Sequence, residues 1–159
     1  FTKSEYPGFV GSFYQYSNQS ETLKNNPDTV VAYTPTCNDL TYTNTDGQQV
    51  SGYVVSDVTK YSEANKYLWF ICGDQPYERI DNPNITDGSS CVVIKESYGN
   101  AFVPFLVNSY QTVHVVDYRY FSGNLVDLVK DNNIQDVIYV NNANALIESA
   151  AKNMTRIIS

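Results

Sequence analysis

The stretch Cys91-Val-Val-Ile-Lys-Glu-Ser-Tyr-Gly-Asn100 decides the fold. Its first half is the continuous apolar run of a strand buried on both faces, and it gives way at Ser97 to small and polar residues. From Tyr98 to Ser109, Ala101, Phe102, Phe105 and Leu106 fall at helical spacing, with Pro104 delaying or bending the helix. Thr112-Val-His-Val-Val-Asp117 reads as a second strand and Asn124 to Asp131, after Ser122-Gly123, as a second helix. Gln135-Asp-Val-Ile-Tyr-Val140 is a third strand, and Ala143 to Ile157 a third helix. Strands alternating with helices at this spacing imply right-handed βαβ units. The predicted class is α/β, with a flavodoxin-like parallel sheet and flanking helices over residues 90–159.

Residues 1–89 read differently, as an irregular β-rich portion of the same single domain. Gly11-Ser-Phe-Tyr-Gln-Tyr16 alternates polar and aromatic residues, and Asp28 to Tyr33 is β-branched before Pro35. Leu40 to Asn44 and Gln49 to Val55 flank Thr45-Asp46-Gly47-Gln48, and an Asp-Gly between alternating segments signals a hairpin. Asp57 to Ala64 is expected as a short helix, Tyr67 to Ile71 as a short apolar run, and Asp81 to Gly88 as a loop of breakers.

The 159 residues are enough for one core and too few for two ordinary domains. No apolar run approaches the ~20 residues of a bilayer span. Ten basic against seventeen acidic residues, a net −7, argue against phosphate-backbone binding and hence against nucleic acid as a partner. Cys37, Cys72 and Cys91 show no metal-ligand spacing, so no metal or other cofactor is expected, and at most one disulfide can form. Fourteen Tyr, and 17 Asn against seven Lys, suit an extracellular or envelope protein that meets carbohydrate. Phe1 is not a natural start, which points to a processed chain or an excised piece.

In parallel sheets the chemistry gathers at the carboxyl ends of the strands. That rule selects Glu96, Ser97, Tyr98, Gly99 and Asn100 after the first strand, then Asp117, Tyr118, Arg119 and Tyr120, then Asn141 and Asn142. Ser97, on a tight strand-to-helix turn, has the placement of a nucleophile, but serine also simply caps helices. Its own N–H, with Asn100 or Asn142, would hold an oxyanion. Asp117 and Arg119, two apart on one side of an extended segment, either contact substrate or close the strand end as an ion pair. Glu96, Tyr98, Tyr120 and Asn141 complete the rim as substrate-binding or support residues. His114, the only histidine, sits among valines about 10 Å down its strand from the rim, so it is not expected to be the base.

Val93-Ile-Lys-Glu-Ser-Tyr-Gly-Asn-Ala101, Pro104-Phe-Leu106 and Val115-Val-Asp-Tyr-Arg-Tyr120 resemble the carboxyl-terminal part of the bacterial family named for an Asp-His-His-Trp signature. Gly11-Ser-Phe-Tyr14 resembles its Gly-Ser block, Ile80-Asp-Asn82 its mid-chain segment, and Asp136-Val-Ile-Tyr139 its third strand. The resemblance implies an SGNH-hydrolase-like fold, related to O-acetyltransferases of exopolysaccharides, with Ser97 as nucleophile and the signature's Asp and His completing the triad. Two departures stand out: Glu96 replaces the usual Asp, and no Asp-His-His-Trp stretch is present, so the chain is expected to begin just after it. The implied protein is extracytoplasmic and acts on an acylated glycan, with room for a membrane anchor upstream of Phe1. The competing expectation is a non-catalytic carbohydrate-binding or structural domain.

Overall fold

The computed structural model describes residues 1–159, with every side chain but that of Asn144. Eight strands form: β1 (Thr2–Phe9), β2 (Asp28–Thr34), β3 (Asp39–Thr43), β4 (Gln49–Tyr53), β5 (Tyr77–Asp81), β6 (Ser90–Lys95), β7 (Thr112–Asp117) and β8 (Asp136–Val140). Four α-helices accompany them: α1 (Phe13–Tyr16), α2 (Glu21–Asn25), α3 (Leu125–Asp131) and α4 (Glu148–Ile158). β1 and β2 pair as an antiparallel ribbon, and the other six form one sheet in the order β4-β3-β5-β7-β6-β8. The protein is therefore mixed α/β, mostly sheet with few helices.

Only β7, β6 and β8 run parallel, and β3, β4 and β5 are antiparallel to their neighbours. The parallel strands expected within residues 90–159 are therefore present as β7-β6-β8, but they continue into the antiparallel strands as one mixed sheet, which corrects the flavodoxin-like form of the expectation. The cause lies in the breaker-rich loop 82–89. It contains no helix that would carry the chain back along the sheet, so β6 starts at the end where β5 stopped and runs the opposite way. The Asp46-Gly47 signal holds: Asn44 and Gln48 close the β3–β4 loop, with Gly47 at φ 78°.

One apolar face of the sheet packs under the β1–β2 ribbon. Leu40, Ile80, Val93, Val113 and Val115 point there, against Trp69, Ile71, Val103 and Val107. Tyr6 of β1 meets the fully buried Trp69 edge-on at 4.8 Å. The other face of β6 and β7, through Val92, Ile94 and Val116, is covered by Leu125, Ala150 and Ile157 of α3 and α4. Asn124 starts α3 by accepting the N–H groups of Val126 and Asp127.

Four further expectations change. Tyr98 to Ser109 is not an α-helix but carries two 3₁₀ turns, Ser97–Gly99 and Val103–Phe105, because Pro104 has no N–H to donate to the preceding turn. Asp57 to Ala64 shortens to the 3₁₀ turn Val58–Lys60, capped by the Asp57 carboxylate. The stretch from Ala143 splits at the extended residue Ile147 into a 3₁₀ turn and α4. Gly11 to Tyr16 forms the single turn α1 rather than extended chain. The three cysteines are unpaired.

Candidate functional site

The register Lys95 to Asp117 and Lys95 to Val140 brings the ends of β6, β7 and β8 level, so Ser97, Asp117 and Asn141 share one rim. Ser97 opens a 3₁₀ turn in which the Gly99 N–H donates to Glu96 O, and the following Asn100 N–H donates to Ser97 O. Gly99 is required there because a Cβ would collide with the side chain of Lys95. The Ser97 hydroxyl donates to Glu96 Oε2 at 3.0 Å, and the other oxygen of Glu96 accepts the Asn142 N–H at 3.1 Å. Glu96 thus ties the nucleophile candidate on one strand end to the backbone of another.

Two open clefts flank this pair. One, of about 360 Å³, holds Ser97 and Tyr98 with Ser12, Phe9, Asn65 and Tyr67, so the Gly11-Ser12 block meets the Ser97 turn. The other, of about 320 Å³, holds Glu96, Tyr118, Arg119 and Asn142 beside α4. Tyr98 is exposed, and its carbonyl accepts the Tyr67 hydroxyl at 3.2 Å. Burial pushes the Tyr67 phenol up, against an opposing hydrogen bond from the Ala101 N–H.

Behind the turn lies a charged network. Asp117, fully buried, accepts Arg119 Nε at 2.8 Å and Nη2 at 2.6 Å, and lies 3.4 Å from the buried Lys95 Nζ. Asp74 bridges the same cations, 2.9 Å from Arg119 Nη2 and 3.7 Å from Lys95 Nζ, and accepts the Asn100 amide at 2.9 Å. Burial alone would raise the Asp74 carboxyl, but Lys95, the Asn100 amide and Arg119 hold it below the ordinary range. The bond to Asp117 in turn raises Arg119 further, against its burial. Arg119 also stacks over Tyr120, its guanidinium carbon 5.0 Å from the ring centre. Asp117 and Arg119 are accordingly an ion pair that closes the strand end.

Asn100 is fully buried with its amide hydrogen given to Asp74, which leaves that amide committed away from an oxyanion role. Asn141 donates to the Ile94 carbonyl at 3.2 Å, fixing the ends of β6 and β8 together. His114 packs on the opposite sheet face from the Lys95–Asp117 network. Its Nδ1 lies 2.7 Å from the Tyr77 hydroxyl, and burial first, then Arg79, lower its pKa to about 4 against Asp81.

Asp74 and Lys95 were missed by sequence reasoning, and so was Glu78, whose side chain is fully buried with both oxygens unpartnered. The Gln75 N–H lies nearby without hydrogen-bond geometry. Only the turn-like Gly73-Asp74 offered a signal. The described residues contain no group of acidic, His or Cys side chains fit to hold a metal, and no helix is long and apolar enough to cross a membrane.

Fold and rim define a mixed α/β domain that presents a serine turn at the ends of three parallel strands. The chain belongs to the DHHW family, whose model matches residues 1–116. A DHHW family protein from Eubacterium siraeum superposes with a TM-score of 0.86 at 31% identity, over 99% of this chain and 53% of that one. Two structures of Bacillus cereus PatB1, one with a sulfonyl adduct, give TM-scores of 0.71 at 21% and 24% identity, over 91% of this chain. They share the fold. The chain spans about half the length of each, 53%, 47% and 50% respectively. No curated protein matches.

Proposed function

We propose that this chain is the nucleophile-bearing part of an SGNH-like serine esterase or O-acyltransferase acting on cell-envelope or extracellular carbohydrate. One observation carries the reading: the Ser97 hydroxyl stands at the end of a central parallel strand, oriented by Glu96 and open to a cleft that Ser12, Asn65 and aromatic rings also line. The sulfonyl adduct of PatB1 agrees with a nucleophile in a protein of this fold.

In the proposed reaction, a histidine takes the Ser97 proton while Oγ attacks the acyl carbonyl, the bond to the leaving oxygen breaks, and that oxygen is protonated by the same histidine. Water or a sugar hydroxyl then attacks the acyl-serine and regenerates Ser97. The base is proposed to come from the Asp-His-His-Trp stretch of the family, which this sequence does not contain. Glu96 orients the hydroxyl before attack. The Asp117–Arg119–Asp74 network shapes the rim without taking part in bond making, and Tyr98, Tyr120 and Asn141 flank the substrate. The Ser97 and Asn142 N–H groups are the oxyanion donors of this scheme, Asn142 only after release from Glu96.

The fitting context is extracytoplasmic, with a glycan as substrate. The test is hydrolysis of small acetyl esters. The longer protein that carries the signature should turn them over and lose about a thousandfold or more on Ser97→Ala, while the present chain should be nearly inert. Robust turnover by this chain, abolished by His114→Ala, would move the base to His114 and contradict the scheme. A binding-only domain is favoured by the same Ser97–Glu96 bond, which occupies the hydroxyl; that reading requires no turnover in the longer protein.

A further inference from the structure

α3 and α4 cover one sheet face across β6 and β7, with Tyr77 of β5 packed at the edge of that cluster, and beyond Tyr77 the antiparallel strands on that face carry no covering helix. Register fixes what it displays. Thr41 opposes both Ser51 and Arg79, and Asp39 opposes Tyr53, so these side chains share the uncovered face. With Asp81 they line an open cleft of about 420 Å³, within the range of small-molecule sites.

The groups in this cleft are largely unspent. Asp81 fixes Arg79 through Nε at 2.8 Å and Nη2 at 2.9 Å, which leaves Nη1 without a partner among the described residues. The Asp39 carboxylate, the Thr41 and Ser51 hydroxyls and the Tyr53 phenol make no hydrogen bond among the described residues either. Tyr53 is 52% exposed. Two carboxylates against one guanidinium, in a chain of net charge −7, repel phosphates and acidic ligands. What complements carboxylate acceptors, the remaining Nη1 donor of Arg79, two hydroxyls and one ring is a neutral polyhydroxylated molecule. Its hydroxyls both donate and accept, and its C–H face covers an aromatic plane.

We propose that this cleft is a binding site for a neutral oligosaccharide. It lies at the Asp81, Thr112 and Ser90 end of the sheet, opposite the Lys95 and Asp117 end that carries Ser97. The inference is therefore independent of Ser97 as a nucleophile.

Titration calorimetry and saturation-transfer NMR with cellotetraose and chitotetraose test it on the present chain. At least one should bind, with transfer to the sugar C–H protons. The Kd should rise about tenfold or more in Tyr53→Ala and in Asp39→Ala, and stay unchanged in Tyr16→Ala, an 84% exposed aromatic elsewhere. Chemical-shift mapping needs no substitution, and the perturbed amides should centre on Thr41, Ser51, Tyr53 and Arg79. Absence of binding by both sugars, affinity that survives Tyr53→Ala, shifts centred elsewhere, or tighter binding of polygalacturonate would overturn the proposal.

Discussion

Glu78 is a carboxyl group sealed in the core, and replacing it should change how stability depends on pH. Its side chain is fully buried, and neither oxygen has a hydrogen-bond partner. Burial is the largest influence and drives its pKa well above 4.5; Lys95 opposes this, while Asp117 and Asp74 add to it. Lys95 is already matched by those two aspartates, so it has little left to offer a third carboxylate. The folded chain keeps the Glu78 proton where the unfolded chain releases it. Folded protein then binds one more proton, and stability falls as pH rises above the ordinary glutamate value, by about 1.4 kcal/mol per pH unit until the folded-state pKa is reached. Glu78→Gln cannot titrate. Urea denaturation of both proteins, followed by circular dichroism, should give a stability difference that shifts in favour of the variant as pH rises above the ordinary glutamate value. The intercept depends on how well the new amide is satisfied; the slope does not. Parallel pH profiles would refute the reasoning, because they would mean that Glu78 ionises normally in the fold.

Other outcomes follow from the same geometry. Gly99→Ala drives a methyl group into the buried Lys95 and should cost about 1–3 kcal/mol, read from the denaturation midpoint. Asp117→Ala leaves Lys95 buried with only Asp74, at 3.7 Å, and should destabilise by about 3–5 kcal/mol, more than Asp117→Asn. His114 should stay neutral in NMR titration down to about pH 4. Since the unfolded chain protonates it from about pH 6.5, its contribution to stability falls as pH drops through that window, and a midpoint near the model-peptide value would contradict this.

The parallel half of the fold was legible because its strands are buried on both faces and so appear as uninterrupted apolar runs. Val92, Val93, Ile94, Val113, Val115 and Val116 declare themselves. The hairpin was legible because Asp46-Gly47 names its own turn. β5 was not, since Tyr-Glu-Arg-Ile-Asp reads as an exposed polar segment. Its Glu78 is fully buried, with burial pushing its carboxyl well above the ordinary glutamate value, which a sequence does not advertise. β1 was hidden by Pro7 and Gly8, tolerated because the ribbon is irregular between Pro7 and Phe9. At the site, position followed from topology: residues just past parallel strands had to share a rim. Partnership did not follow. Asp74 reaches the network from outside the parallel unit, and Lys95 stood in sequence as the polar end of a strand, while in the fold it is a fully buried cation.

The central claim is that Ser97 is a nucleophile, and covalent labelling tests it most directly. This chain, joined to the Asp-His-His-Trp segment that the proposal places before it, is treated with a serine-directed fluorophosphonate and mapped by peptide mass spectrometry. One adduct is expected, on the peptide containing Ser97, lost in Ser97→Ala and retained in Ser12→Ala. An adduct on Ser12 or any other residue, or no adduct on a protein that hydrolyses acetyl esters, would contradict it.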